Sequence, residues 1–150
     1  MDTDKYKSIR PLIPEEVPSA IAQLASLAPL RGVYESLGLS ASWDELMATL
    51  KACHSVEDFK QRVSYYWVKH VMEHCCRSVE LTGTEHISQT GAYTYISNHR
   101  DIILDSAFLN VLLVDAGAHF PEIAIGDNLM IYPWVETLVK LNGSFLVRRN

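Results

Sequence analysis

Ala92-Tyr-Thr-Tyr-Ile-Ser-Asn-His-Arg-Asp-Ile-Ile-Leu-Asp105 is the stretch on which the fold turns. Tyr93, Tyr95 and Ser97 alternate with Ala92, Thr94 and Ile96, the period of two that marks a strand over 92–97. From Ile102 the period lengthens: Ile102, Leu104, Phe108, Leu109, Leu112 and Leu113 predict a mostly buried helix over 102–114 that ends near Gly117. A strand running straight into a helix puts Asn98-His99-Arg100-Asp101 at the strand's carboxyl end, the edge where open α/β sheets bind ligands and where a helix N-terminus favours anions. Asp101 is placed to cap the helix, and Asp105, one turn later, to reach back towards the His99 ring. An imidazole with a carboxylate to orient it is what general-base chemistry requires. The same residues also suit a plainer role, in which His99 packs and both aspartates serve the helix end. The local sequence leaves the two open.

Downstream, Glu122–Ile125 reads as a second strand, Ile131–Leu141 as an amphipathic helix and Ser144–Val147 as a third strand. Upstream, Val79–Leu81 is short and strand-like, Gly83 turns the chain, Thr84–Ser88 adds a little more strand and Gln89–Gly91 is a turn. Strand, helix, strand, helix, strand is the order of an α/β layer with a parallel sheet. The expected fold class is therefore α/β: a helical N-terminal region followed by a partial, mainly parallel sheet with flanking helices.

The N-terminal region divides in two. Residues 1–13 are polar, end at Pro11 and Pro14, and read as a flexible leader, mobile or loosely docked. Residues 14–77 are helical: 14–27 with Val17, Ile21, Leu24 and Leu27 at helical spacing and Pro18 in the first turn, a short helix over 31–37, then 43–52 and 56–76. Ser42 with Glu45, and Ser55 with Asp58, are serine caps followed three residues on by a carboxylate. The longest helix carries Val56, Phe59, Val63, Tyr66, Trp67 and Val71 along one side, a stripe that favours core packing over acyl-chain or membrane contact. His70, His74, Cys75 and Cys76 bring metal-ligand types together, but no second cluster with ligand spacing follows, so a structural role is expected and no metal.

With 150 residues and 48% hydrophobic content, the chain has the material for one domain with a real core. Eighteen acidic against 13 basic residues, a formal charge of −5, argue against a nucleic-acid surface. No apolar run is long enough to span a bilayer, and the polar start lacks the form of a secretory signal, so a cytoplasmic location is expected. The 3 cysteines, two of them adjacent, suit reduced thiols.

The junction resembles the first signature block of the glycerolipid acyltransferases, the superfamily of 1-acylglycerol-3-phosphate and glycerol-3-phosphate acyltransferases, written Asn-His-x-Ser-x-x-Asp. A second likeness follows in order: Glu122-Ile-Ala-Ile-Gly-Asp-Asn-Leu129, then Tyr132-Pro133-Trp134, then Leu141-Asn-Gly-Ser-Phe-Leu-Val-Arg-Arg149, similar to the family's run into a Gly-x-Phe-(Ile/Val)-x-Arg strand. The likeness covers about Val79 to Asn150, so 78–150 is expected to be the N-terminal part of an α/β acyltransferase domain and 14–77 an accessory region. It implies that His99 takes the proton from an acceptor hydroxyl attacking the thioester of an acyl-CoA or acyl-carrier protein, with Asp105 or Asp101 holding the imidazole. It implies Arg148 or Arg149 on the phosphate of a glycerophosphate-type acceptor, with Arg100 and Asn98 as further substrate-binding residues. No cofactor is implied beyond the acyl donor. The setting it implies is phospholipid synthesis at the membrane surface, peripheral to the inner face.

This chain departs from the pattern in spacing, for the family's aspartate falls at Leu104 whereas the chain has Asp105, or Asp101. One residue on a helix turns a side chain by about 100°. A bacterial subgroup of acyltransferase-like sequences written His-Arg-Asp-Ile-Val-Leu-Asp is closer to it, and Asp105 is the preferred partner. Other readings are acylation of an ornithine or glycine lipid, a non-catalytic lipid- or acyl-carrier-binding module, and a thioester hydrolase. The family's third block, Glu-Gly-Thr-Arg-Ser or similar, is expected after the Arg148 strand, and the sequence stops at Asn150. The 150 residues alone are accordingly expected to be weakly active or inactive; robust acyl transfer by this chain on purified substrate would overturn that.

Overall fold

A computed structural model of the chain describes residues 5–88, 91–98 and 100–149. They form two compact units, residues 1–64 with 122–150, and residues 65–121.

In the first unit, a 3-10 turn at Pro14–Glu16 leads into helix α1 (Val17–Ala25), with Pro18 in its first turn, where a missing N–H costs nothing. Val17, Ala20, Ile21 and Leu24 are buried, the face that their spacing predicts. Helix α2 (Ala28–Ser36) follows, and Gly38, at φ 64°, turns the chain out of it. Helix α3 (Trp43–Lys51) starts at Ser42, whose hydroxyl accepts from Glu45 N (3.3 Å) while the Glu45 carboxylate accepts from Ser42 N (2.7 Å). Helix α4 (Val56–Phe59) begins in the same way at Ser55 and Asp58.

The expected helix over 56–76 is present with one irregularity: α4 passes into a π-helical segment, Lys60–Ser64, before helix α5 (Tyr65–Cys75). The wide π turn shifts the helical phase. That shift explains why Phe59 and Val63 of the expected stripe are 3% exposed, whereas Tyr66 is 63% exposed and Met72 is buried in its place.

In the second unit α5 packs on helix α6 (Leu104–Asp115). Asp115, at the end of α6, accepts from the Tyr65 hydroxyl (2.6 Å) and the Lys69 amine (2.5 Å), which fastens the two helices. Gly117, at φ 86°, ends α6, with its own N–H and that of Ala118 returned to Val114 and Leu113. The run 92–98 is not a strand, and neither is 79–81, while Thr84–His86 is a single 3-10 turn. The strand expectation at 92–97 therefore fails: alternation describes two faces, but a strand exists only through ladder bonds to a neighbour, and no described segment supplies them. Ile96 is 93% exposed. The turn expected at Gln89–Gly91 lies in part outside the described residues.

Back in the first unit, strand β1 (Ala124–Gly126), a 3-10 turn (Asp127–Leu129), helix α7 (Pro133–Leu141) and strand β2 (Phe145–Val147) close the chain. The strands pair in parallel, with Ala124 opposite Phe145, Ile125 opposite Leu146 and Gly126 opposite Val147, and α7 packs on α1. The α/β class is thus present, in a mainly helical chain whose described sheet has two parallel strands.

The described part of the leader is docked on this unit. Leu146 N donates to Ile9 O (2.7 Å) and the Lys140 amine to Ser8 O (3.0 Å). Arg10 holds the Glu16 carboxylate through two nitrogens, at 2.7 and 3.0 Å. That guanidinium, with a smaller contribution from Ile13 N–H, outweighs the opposing effect of burial and lowers the Glu16 carboxyl from its ordinary 4.5 to about 2. A depressed carboxyl stabilises the fold fully above 4.5 and loses that effect as pH falls towards 2. Glu16→Gln should therefore cost roughly 0.5–1 kcal/mol near neutrality, and the deficit should close between pH 4.5 and 2 in thermal melts; a deficit independent of pH would contradict it.

Candidate functional site

The residues singled out from the sequence fall into two groups, one in each compact unit. In the second unit the segment ahead of α6 is organised by two carboxylates bonded to backbone amides. Asp101 Oδ1 accepts from Ile103 N (2.9 Å) and Leu104 N (2.7 Å), so the residue expected to cap the helix serves the amides of the turn that leads into it. Asp105 Oδ2 accepts from Arg100 N (2.5 Å) and Asp101 N (3.0 Å). The Asp105 carboxylate therefore folds the Arg100–Asp101 backbone back over the first turn of α6. Helix α6 begins at Leu104, two residues later than the apolar spacing suggests, because Asp101 holds the preceding turn in a non-helical form. Arg100 and Asn98 are exposed in this segment. His99 lies outside the described residues.

In the first unit the parallel pairing brings two chain segments to one edge. The carboxyl end of β1 continues as Gly126-Asp127-Asn128, and that of β2 as Arg148-Arg149. Asp127 Oδ1 accepts from Arg149 N (3.1 Å), which ties the two ends together. The Arg149 side chain passes over Gly126: a Cβ there would stand 3.0 Å from Arg149 Nε and 2.5 Å from Asn128 Oδ1. Glycine at that point lets the guanidinium stem lie across the strand end. Arg148 turns to the leader instead, its Nη2 donating to Ser8 Oγ (2.8 Å). A guanidinium at the carboxyl edge of a parallel pair is able to receive an anion through forked, charge-assisted bonds.

Gly126, Asp127 and Ser8 were not anticipated. Asp127 stood within the quoted Glu122–Leu129 run, and a glycine and an acid directly after a strand were the available signal; Ser8 carried none, since its contact joins residues far apart in sequence. His70 and His74 stack at 3.9 Å, with His74 Nδ1 on the His70 carbonyl. Among the described residues, no three side chains of metal-ligand type converge.

The carboxylates make a residue-specific prediction. Asp105→Ala should speed amide exchange at Arg100 and Asp101, and Asp101→Ala at Ile103 and Leu104, each at a cost of about 1 kcal/mol in stability. Amide exchange followed by NMR checks both, and unchanged exchange at those four positions would refute the arrangement.

Comparison with known proteins bears on residues 78–150, which match the family model Acyltransferase. No curated protein and no solved structure matches the chain significantly. The matched segment contains the Asp101–Asp105 turn, β1, α7, β2 and both terminal arginines, and the match supports acyltransferase activity in general. The match bears out the resemblance of residues 78–150 to the glycerolipid acyltransferases.

Proposed function

We propose that this chain serves transfer of a fatty acyl group from acyl-CoA or acyl-carrier protein to a hydroxyl of 1-acylglycerol-3-phosphate or glycerol 3-phosphate, in phospholipid synthesis. His99 is the general base: it takes the hydroxyl proton as the oxygen attacks the thioester carbonyl, and returns it to the departing thiol. A base so placed is worth about 10²–10⁴-fold in rate. Asp105 and Asp101 shape the turn next to His99 through the amides of Arg100, Asp101, Ile103 and Leu104, and the carboxylate that orients the imidazole is one of these two. Asn98 and Arg100, which flank His99, are proposed to contact substrate. Arg148 and Arg149 bind the acceptor's phosphate.

The observation that carries this reading is Arg149 laid over Gly126 and tied to Asp127 at the carboxyl edge of β1 and β2, with Arg148 beside it in the chain, within the segment matched by the family model. The reading calls for no metal and no cofactor besides the acyl donor. Among the described residues no helix is long and apolar enough to cross a membrane. We place the protein in the cytoplasm, on the inner face of the membrane. Exposed Ile131 (74%), Tyr132 (58%) and Trp134 (40%) support that surface contact, for aromatic and apolar side chains side by side suit a lipid boundary.

Two variants separate this function from its rivals. His99→Ala should lower acyl transfer by at least about a hundredfold with donor binding retained, whereas a non-catalytic lipid- or acyl-carrier-binding module would show no transfer to lose. Arg149→Ala should raise KM for a phosphate-bearing acceptor with little change in KM for the donor. Release of free fatty acid without acylated acceptor would identify a thioester hydrolase instead. Equal use of an amino-acid lipid would move the acceptor assignment to that class.

A further inference from the structure

We infer that the leader segment Ser8–Arg10 is a working part of the acceptor-phosphate site, with Ser8 the residue that positions the Arg148 guanidinium. The inference rests on the assignment of Arg148 and Arg149 to the acceptor's phosphate.

An arginine at an exposed strand end samples many rotamers, and ordering it on a ligand costs that freedom. Ser8 Oγ, accepting from Arg148 Nη2 at 2.8 Å, holds the fork before any ligand arrives. The chemistry of the partner matters. Arg10, elsewhere in the same segment, is neutralised by the Glu16 carboxylate. Among the described residues, the partner of Arg148 is a neutral hydroxyl, which orients the guanidinium and leaves its positive charge to attract an anion. One N–H of the five on the fork is used in this way.

The hydroxyl is itself held in place. The carbonyl of Ser8 accepts from Lys140 Nζ at 3.0 Å, and that amine, its side chain 9% exposed, also pairs with Glu136 at 2.7 Å. A buried ammonium needs such partners, so the leader carbonyl belongs to the packing of the unit. The next residue, Ile9, accepts from Leu146 N at 2.7 Å, two positions before Arg148 on the same strand run. Leader and arginine are thus registered against each other by backbone as well as side chain. Arg149, held by Asp127 and laid over Gly126, is positioned by the other strand. The two arginines are set by independent supports on either side of β2.

The test is an NMR titration of the 150-residue chain with glycerol 3-phosphate, and with glycerol as the control without phosphate, accompanied by thermal melts. Ser8→Ala should weaken glycerol 3-phosphate binding roughly three- to tenfold without lowering Tm, and Ser8→Thr, which restores the hydroxyl, should recover it. Wild-type affinity in Ser8→Ala while Arg148→Ala binds more weakly would overturn the inference and leave the acceptor assignment standing. Equal loss in Ser8→Ala and Ser8→Thr with a lowered Tm would also overturn it, since that marks packing alone. Unchanged binding in both Arg148→Ala and Arg149→Ala, or no binding by the wild-type chain, would remove the acceptor assignment and the inference with it.

Discussion

The parallel pairing of β1 with β2 is the constraint from which the arrangement of the first unit follows. Antiparallel neighbours can be joined by a tight turn, but parallel ones need a crossover, and here α7 supplies it. The crossover helix must be covered, and α1 covers it. Parallel direction also sends both carboxyl ends to the same edge, so Gly126-Asp127 and Arg148-Arg149 become neighbours although some twenty residues separate them in the chain. With Ala124 opposite Phe145, a slip of one residue would exchange the faces of β2 and expose Leu146. Leu146 is 6% exposed, and its burial keeps the register.

The polar groups near the proposed sites are used in two contrasting ways. In the second unit, Asp101 and Asp105 accept from four backbone amides between Arg100 and Leu104 and so shape the turn. In the first unit Arg10 is held by the Glu16 carboxylate, Lys140 by the Glu136 carboxylate and the Ser8 carbonyl, and Arg148 by the Ser8 hydroxyl.

Much of the secondary structure was legible because its causes are local. Ser42 with Glu45 and Ser55 with Asp58 form capping boxes where the spacing placed them, and Val17, Ile21 and Leu24 are buried at helical spacing. Glu122–Ile125 and Ser144–Val147 became β1 and β2 to within two residues. Tyr66 failed because a π turn changes the phase of a helix without leaving a pattern in the apolar residues before it. Ala92–Ser97 failed because alternation carries no information about a partner. At the candidate sites, Asp101 was legible as a residue bonded near the start of α6, but its place ahead of the helix cap at Ile103 and the bonds of Asp105 to the amides of Arg100 and Asp101 were not.

By itself, then, the sequence determined most of the helices, the serine caps of α3 and α4, the order strand–helix–strand in 122–147 and the acyltransferase likeness of the segment that contains them. Each of these depends on residues close together in the chain, where spacing and side-chain chemistry suffice. Tertiary structure decided which strands pair, that the leader docks, that Arg148 meets Ser8 and that Arg149 lies across Gly126. Those contacts join residues up to 140 positions apart, and only burial and the need of each polar group for a partner select among the many pairings that composition allows.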